Sequence, residues 1–315
     1  MDMRRARAAV TGTAAVLALL LASACTDKGG GASPTAPPSS SRSVLTGEPG
    51  GAGRVLAVKI DNVGPARPAT GLDDADLVYA IEVEGGLSRL MAVFDTHRLP
   101  AVVGPVRSAR ETDLQLLAAY DRPALAFSGA QSKLLPVLRS DADLVPVTGT
   151  GAFFRRQDRP APHNEYLRTK GVADRAGTAA DIGLRFAAAV PPGGRAGTRA
   201  SASMPSARFS FAWDGTRYRV SMDGVRSPWT ADNVIVQHVT VKESRFHSRT
   251  GFVPFSQTVG SGTAEVLRDG RSYAARWNRP GEDDGTAYTV GGRTLPLHPG
   301  RTWIVLEPAA GSQSR

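Results

Sequence analysis

The sequence predicts a mixed fold, α+β or α/β, in which a layered α/β N-terminal domain is followed by a mostly β C-terminal domain. In the first half of the chain, short strand-like apolar segments alternate with helix-like segments, which is typical of layered α/β structure. In the second half, four two-residue hairpin signals separate strand-like segments. The predicted domains cover residues 54–190 and 206–308, with a linker at 191–205 and a tail at 309–315.

Residues 1–24 have the pattern of an export signal. Three arginines precede an apolar run over residues 8–21, which is shorter than the roughly 20 residues of a spanning helix, and small residues follow at 22–24. The stretch Leu21–Cys25 resembles a bacterial lipobox. We therefore expect lipidation of Cys25, with the protein anchored to membrane lipid on the extracytoplasmic face. Cleavage after Ala24 and release as a secreted protein is the alternative.

Residues 25–53 are rich in Gly, Ser, Pro and Thr, so they predict a disordered stalk behind the lipidated cysteine. Cys25 is the single cysteine, which excludes an internal disulfide and a cysteine-based zinc site. The formal net charge is +9, but the arginines are scattered and no aromatic residues are interleaved with them. This pattern argues against nucleic acid as a partner.

The N-terminal domain begins with a buried strand over residues 55–61, which ends on the polar pair Asp61 and Asn62. Strands at 77–84 and 87–94 flank Gly85 and Gly86, which predict a two-residue hairpin turn. In that register Glu82 faces Arg89. The hairpin is then expected to carry Glu82, Glu84 and Arg89 on one sheet face, opposite an apolar face.

Further strands are predicted at 102–103 and 124–127. Helices are predicted at about 109–120, with a capping box from Ser108 to Glu111, near 132–138, and between Val172 and Ala189. In the C-terminal domain, the hairpin signals are the dipeptides at 214–215, 223–224, 269–270 and 291–292.

Two arginines, Arg107 and Arg110, flank the start of the helix predicted at 109–120. Cations at a helix N-terminus are locally unfavourable unless a negative group compensates them, so the pair predicts half of an anion site. The alternative is a structural network without a ligand, in which Asp61, Glu82 or Glu84 supplies the negative charge.

His163 lies in the proline-rich loop 160–164, beside Asn164. An imidazole there could act as a general base or hold a phosphate or carboxylate, although a structural role is more common. The other histidines, His97, His238, His247 and His298, lack the spacing of a metal site. No metal and no cofactor are expected.

Six ordered motifs are similar to those of the YerB-like (DUF3048) lipoproteins. They are carried by residues 59–62, 66–68, 71–76, 84–89, 104–110 and 161–164, and weaker similarity follows at 233–237, 260–262, 269–270, 277 and 299–303. The resemblance covers nearly everything after the stalk. It implies an envelope lipoprotein with a two-domain body, and it supplies no established reaction.

Three interpretations of the function follow, and the first is favoured over an enzyme. A binding protein would hold an anionic envelope ligand or an envelope protein through Asn164 and four arginines, Arg67, Arg89, Arg107 and Arg110. An enzyme acting on an envelope polymer would use His163 with Asp61 or Glu84 for proton transfer. A structural partner of cell-wall machinery would present an apolar surface instead.

Overall fold

A 13-stranded mixed sheet runs through both halves of the chain in the computed structural model, which describes residues 41–246 and 251–312. The signal segment and Cys25 lie outside the described residues, as do most of the stalk and His247. The elements of the first half are β1 (Val55–Asp61), β2 (Leu77–Glu82), β3 (Ser88–Asp95), β4 (Val102–Val103), α1 (Glu111–Leu117), β5 (Ala124–Ala126), α2 (Leu134–Ser140), β6 (Val145–Val147), β7 (Phe153–Arg155) and β8 (Glu165–Arg168).

Within the described residues, the regular elements of the second half are all strands. They are β9 (Arg195–Ala196), β10 (Arg199–Met204), β11 (Ala207–Trp213), β12 (Tyr218–Met222), β13 (Val225–Ala231), β14 (Asn233–Glu243), β15 (Pro254–Gln257), β16 (Gly260–Arg268), β17 (Arg271–Arg279), β18 (Ala287–Val290), β19 (Arg293–Thr294) and β20 (Thr302–Pro308). All four predicted hairpins are present, as β11–β12, β12–β13, β16–β17 and β18–β19.

The prediction of a layered α/β N-terminal domain is wrong, because the described chain is mostly β. Only two α-helices occur in the described ranges, and each has seven residues. The helix predicted between Val172 and Ala189 is absent: this segment is irregular, and its apolar side chains pack on the core without forming turns of helix. Gly177 and Gly183 interrupt the segment, and glycine disfavours a helix interior.

The last strand, β20, joins the two halves of the chain. It lies parallel to β14 on one side and to β2 on the other, with Leu77 opposite Thr302. The main sheet runs in the order β19-β18-β17-β16-β14-β20-β2-β3-β1-β5-β6. The predicted domain boundaries stay a prediction, although the sheet crosses from one half to the other and both β9 and β10 lie within the predicted linker.

Both faces of the central strands are buried. The helices α1 and α2 pack against one face, through side chains such as Leu117 and Leu138. The four-stranded sheet β10–β13 packs against the other face, through side chains such as Phe209 and Val220. This arrangement explains why β1 is buried along its whole length and is apolar from Val55 to Val58.

The register predicted for the β2–β3 hairpin is wrong by one residue. Its turn contains Glu84, Gly85 and Gly86, and the N–H of Val83 bonds to the carbonyl of Leu87. Arg89 therefore lies opposite Ile81, and Glu82 lies opposite Ser88. Because side chains alternate along a strand, this one-residue change places Arg89 and Glu82 on opposite faces. The ionised cluster predicted for one face is divided between the two.

Candidate functional site

Polar motif residues meet where β1 ends, at the same edge of the sheet as the end of β5. The loop before α1 runs alongside this edge, and its backbone fixes its position. The N–H of Asp61 bonds to the carbonyl of Pro105, and the N–H of Arg107 bonds to the carbonyl of Lys59. On the other side, the N–H of Ser128 bonds to the carbonyl of Arg107. Carboxyl ends of neighbouring parallel strands are common places for ligand sites in open sheets.

Asp61 is the central carboxylate of this edge, and it is only 3% exposed. Its Oδ2 lies 2.7 Å from Nδ1 of His163 and 3.0 Å from Nε of Arg107. His163 reaches it from the loop between β7 and β8. One buried carboxylate oxygen thus holds two side chains from distant parts of the chain, and the Nε2 atom of His163 takes no part in this contact.

A second carboxylate, Glu84, pairs with Arg110 from the hairpin turn. Nε of Arg110 donates to Oε1 of Glu84 at 2.7 Å, and Nη2 donates to Oε2 at 2.6 Å. Burial alone would raise the pKa of Glu84, but the hydrogen bonds and charge of Arg110 lower it overall. Asp61, Glu84, Arg89, Arg107, Arg110 and His163 are called the arginine cluster below.

Arg89 is the cation of the arginine cluster without a carboxylate partner. Its Nη1 donates to the carbonyl of Ser108 at 3.0 Å, and no carboxylate of the described chain lies within 4.0 Å of its guanidinium. Burial, together with the charges of Arg110 and Arg107, lowers the pKa of Arg89 to about 10, although the nearby charges of Glu84 and Asp61 act in the opposite direction. The cluster therefore contains three arginines and two carboxylates, which leaves a surplus of positive charge.

A fully buried ion pair lies beneath the arginine cluster. Nζ of Lys59 donates to Oδ1 of Asp113 at 2.7 Å, and Oδ2 of Asp113 accepts the N–H of Arg110 at 2.7 Å. Burial lowers the pKa of Lys59, and Asp113 opposes this effect. The predicted capping box from Ser108 is wrong, because Arg110 is the N-cap residue and Asp113 bonds to its backbone.

The predicted ligand residues Arg67 and Asn164 have other partners. Arg67 donates to the carbonyl of Asn62 at 2.5 Å and to Asp223 at 2.6 Å, so it links the two halves of the chain. The amide oxygen of Asn164 accepts from Arg155 at 2.8 Å. Within residues 41–246 and 251–312, neither side chain bonds to a residue of the arginine cluster.

Glu82 is a buried carboxyl group on the opposite face of the sheet from Arg89. It is 2% exposed, and its Oε2 has no hydrogen-bond partner in the described ranges. Burial raises the pKa of Glu82 to about 7. The carboxyl group is therefore largely protonated just below neutral pH, unlike the ionised carboxylate of Glu84.

Comparison with known families covers most of the folded chain. Residues 45–182 match the family described as "Protein of unknown function (DUF3048) N-terminal domain", and residues 198–304 match its C-terminal domain. The chain belongs to the DUF3048 family. All six residues of the arginine cluster lie in the N-terminal match of this family, while Asp223, the partner of Arg67, lies in the C-terminal match.

This DUF3048 member is similar to one protein, YerB, both in sequence and in structure. It is 34% identical over 115 residues to "Putative lipoprotein YerB" of Bacillus subtilis (strain 168), which is 36% of this chain and about a third, 34%, of that relative's length. The crystal structure of YerB protein from Bacillus subtilis matches with a TM-score of 0.72 and 22% identity, covering 87% of this chain and 98% of that chain. The structural match shows a shared fold. Within the described ranges, no helix has the length and apolar character to cross a membrane.

Proposed function

We propose that the chain is a lipoprotein anchored to the extracytoplasmic face of the membrane through Cys25, and that its folded part binds an anionic envelope ligand at the arginine cluster. The anchoring is supported by the export signal and lipobox pattern of residues 1–25 and by the name of the Bacillus subtilis relative. The stalk would hold the folded part away from the lipid surface.

The unpaired charge of Arg89 carries the binding proposal. A half-buried guanidinium beside two other arginines is unfavourable in the absence of a compensating anion. Arginine also recognises carboxylate and phosphate groups with paired hydrogen bonds, which makes it suited to such a ligand. An anion near Arg89 and Arg107 would neutralise the surplus charge of the cluster.

The contact between Asp61 and His163 favours a second candidate, an enzyme acting on the same ligand. A carboxylate that accepts from Nδ1 of an imidazole fixes the tautomer and the orientation of the ring, so Nε2 could accept a proton from a bound hydroxyl or water. In this case Arg107 and Arg89 would hold the anionic substrate. Turnover of a bound ligand that is lost in His163→Gln, with binding retained, would favour the enzyme.

The binding proposal is tested by thermal unfolding of the full chain in a neutral detergent. N-acetylmuramic acid and inorganic phosphate are the anionic probes, and N-acetylglucosamine is the neutral control for the first. Binding to the native state raises the melting temperature. We expect a rise with an anionic probe that disappears in Arg89→Met and persists in Arg226→Met, which removes an exposed arginine of β13. No rise with either anion, or an equal rise in both variants, would contradict the proposal.

A further inference from the structure

Glu84 holds Arg110 in the way that a ligand carboxylate would. The two planar groups meet side by side, through Nε to Oε1 and Nη2 to Oε2, at 2.7 Å and 2.6 Å. This paired geometry is the arrangement by which arginine recognises carboxylates in ligands and partner proteins. The only other carboxylate of the arginine cluster, Asp61, is already engaged by His163 and Arg107.

The two members of this pair are anchored very differently. Arg110 is fixed by its own helix: its N–H bonds to Asp113, and its Nη1 donates to the carbonyl of Ala109 at 2.9 Å. The side chain of Glu84 is 39% exposed, and in the described part of the chain its carboxylate has no side-chain partner besides Arg110. If the pair separates, Glu84 is therefore the member that moves into solvent.

The turn that carries Glu84 has room to move on its outer side. A Cβ atom added at Gly85 would meet no atom within 4 Å, so this part of the turn faces open space. On its inner side, the carbonyl of Gly86 accepts the N–H of Ser206 at 2.8 Å, and Gly86 packs against Pro205. The turn is thus held at Gly86, while Glu84 projects from it with a single charged contact.

We propose that Glu84 is a displaceable internal occupant of the site, and that the ligand's own carboxylate takes its place on Arg110. This inference rests on the proposed function, and it deepens it by naming the ligand group that Arg110 receives. Displacement of Glu84 increases the positive surplus around Arg89, Arg107 and Arg110, which the ligand then neutralises. Glu84 lowers the affinity for any anion that cannot match its paired hydrogen bonds, so it contributes to selectivity.

The test is a calorimetric titration of N-acetylmuramic acid, and in parallel of inorganic phosphate, into the full chain, its Glu84→Gln variant and a control variant, Glu243→Gln. Glu243 is an exposed carboxylate of β14 without an ion pair in the described ranges. Removing the charge of an internal competitor should strengthen binding by about two- to fivefold, the size expected for one partly exposed ion pair. The control variant should bind like the wild type.

The outcomes separate this inference from the proposed function. Tighter binding by Glu84→Gln, including binding seen only in that variant, supports the displacement of Glu84. Wild-type binding that is unchanged or weaker in Glu84→Gln overturns the displacement and leaves the anion site in place. If neither protein binds N-acetylmuramic acid but the wild type binds inorganic phosphate, the carboxylate ligand is overturned; if neither binds either anion, the proposed function fails as well.

Discussion

Nδ1 of His163 lies 2.7 Å from Oδ2 of Asp61, although the two residues are 102 positions apart in the chain. This contact brings the loop between β7 and β8 to the end of β1. Asp61 is buried, and the same oxygen also lies 3.0 Å from Nε of Arg107. Asp61 in the cluster and Asp113 beneath it are both buried, so changes to these two carboxylates should have large effects.

The buried pair of Lys59 and Asp113 gives the first prediction. Asp113→Asn leaves the ammonium group of Lys59 buried without a carboxylate, so the free energy of unfolding should fall by about 3–5 kcal/mol. Adding Lys59→Met to this variant removes the uncompensated charge and should restore part of the loss. Urea unfolding measures both. If the double variant is less stable than Asp113→Asn alone, the pair does not behave as a coupled unit.

Arg89 should lower the free energy of unfolding of the ligand-free protein, because burial and the neighbouring arginines disfavour its charge. Arg89→Met is expected to raise the free energy of unfolding by about 1 kcal/mol at low ionic strength, and by less in about 0.5 M salt, where screening is stronger. Urea unfolding at the two salt concentrations checks this, with Arg226→Met as the control. A loss of stability in Arg89→Met at low salt would show that its contacts outweigh the repulsion.

Glu82 should make stability depend on pH near neutrality. Its pKa is about 7 in the folded chain, against about 4.3 for an unfolded glutamate, so the folded state holds the proton more tightly between these values. The free energy of unfolding should therefore fall as the pH rises from about 4 to 7, by about 1–3 kcal/mol. Glu82→Gln should lack this part of the pH dependence.

Glu84→Gln provides the control for that titration. Because Arg110 lowers the pKa of Glu84, the contribution of Glu84 to stability is present above its unfolded pKa and is lost as the pH falls through its folded pKa. Glu84→Gln should therefore change how the free energy of unfolding depends on pH in the acidic range, and it should leave the dependence near neutral pH as in the wild type. If the free energy of unfolding of Glu82→Gln still falls as the pH rises towards 7, another group causes this pH dependence.

Gly85 and Gly86 both adopt positive φ angles, 71° and 68°, but they have different surroundings. Gly85→Ala should cost about 1 kcal/mol, since only the backbone conformation is unfavourable for alanine. A Cβ atom at Gly86 would lie 2.5 Å from Cβ of Pro205, so Gly86→Ala should cost at least about 1 kcal/mol more. Urea unfolding of the two variants compares them directly; equal losses would argue against a tight contact between the turn and Pro205.

Local sequence patterns predicted β1 and the four hairpins of the second half, but they missed β6, β7 and β8 and did not predict loop length or long-range pairing. The glycine pair located the β2–β3 turn, yet Glu84 belongs to the turn as well, and this single residue moved Arg89 to the other face. Arg89 nevertheless lies close to Arg107 and Arg110, because its guanidinium donates to the carbonyl of Ser108 in the loop that carries both. The pairing of β20 with β2 joins residues more than two hundred positions apart, and no local signal indicates it.

Only part of the site was predicted, because local patterns do not reveal long-range contacts. Motif residues such as Asp61, Arg107 and His163 stood out as polar groups at the ends of apolar segments or in stiff loops. Lys59 and Asp113 were missed, although a lysine inside the apolar run of β1 signals a buried partner. Arg67 has its main charged partner, Asp223, in the other half of the chain, and spacing along the sequence could not reveal this.

The most direct test of the central claim is to observe the arginine side chains while an anion is added. In the full chain labelled with ¹⁵N-arginine, the Nε–Hε signals of Arg89, Arg107 and Arg110 can be assigned by single Arg→Lys variants and followed by NMR during titration with N-acetylmuramic acid and with phosphate. An anion bound at the arginine cluster should move these three signals together until they saturate, while the signal of Arg226 stays in place. Signals of the three arginines that do not move with either anion, or shifts confined to arginines outside the cluster, would contradict an anion site at the end of β1.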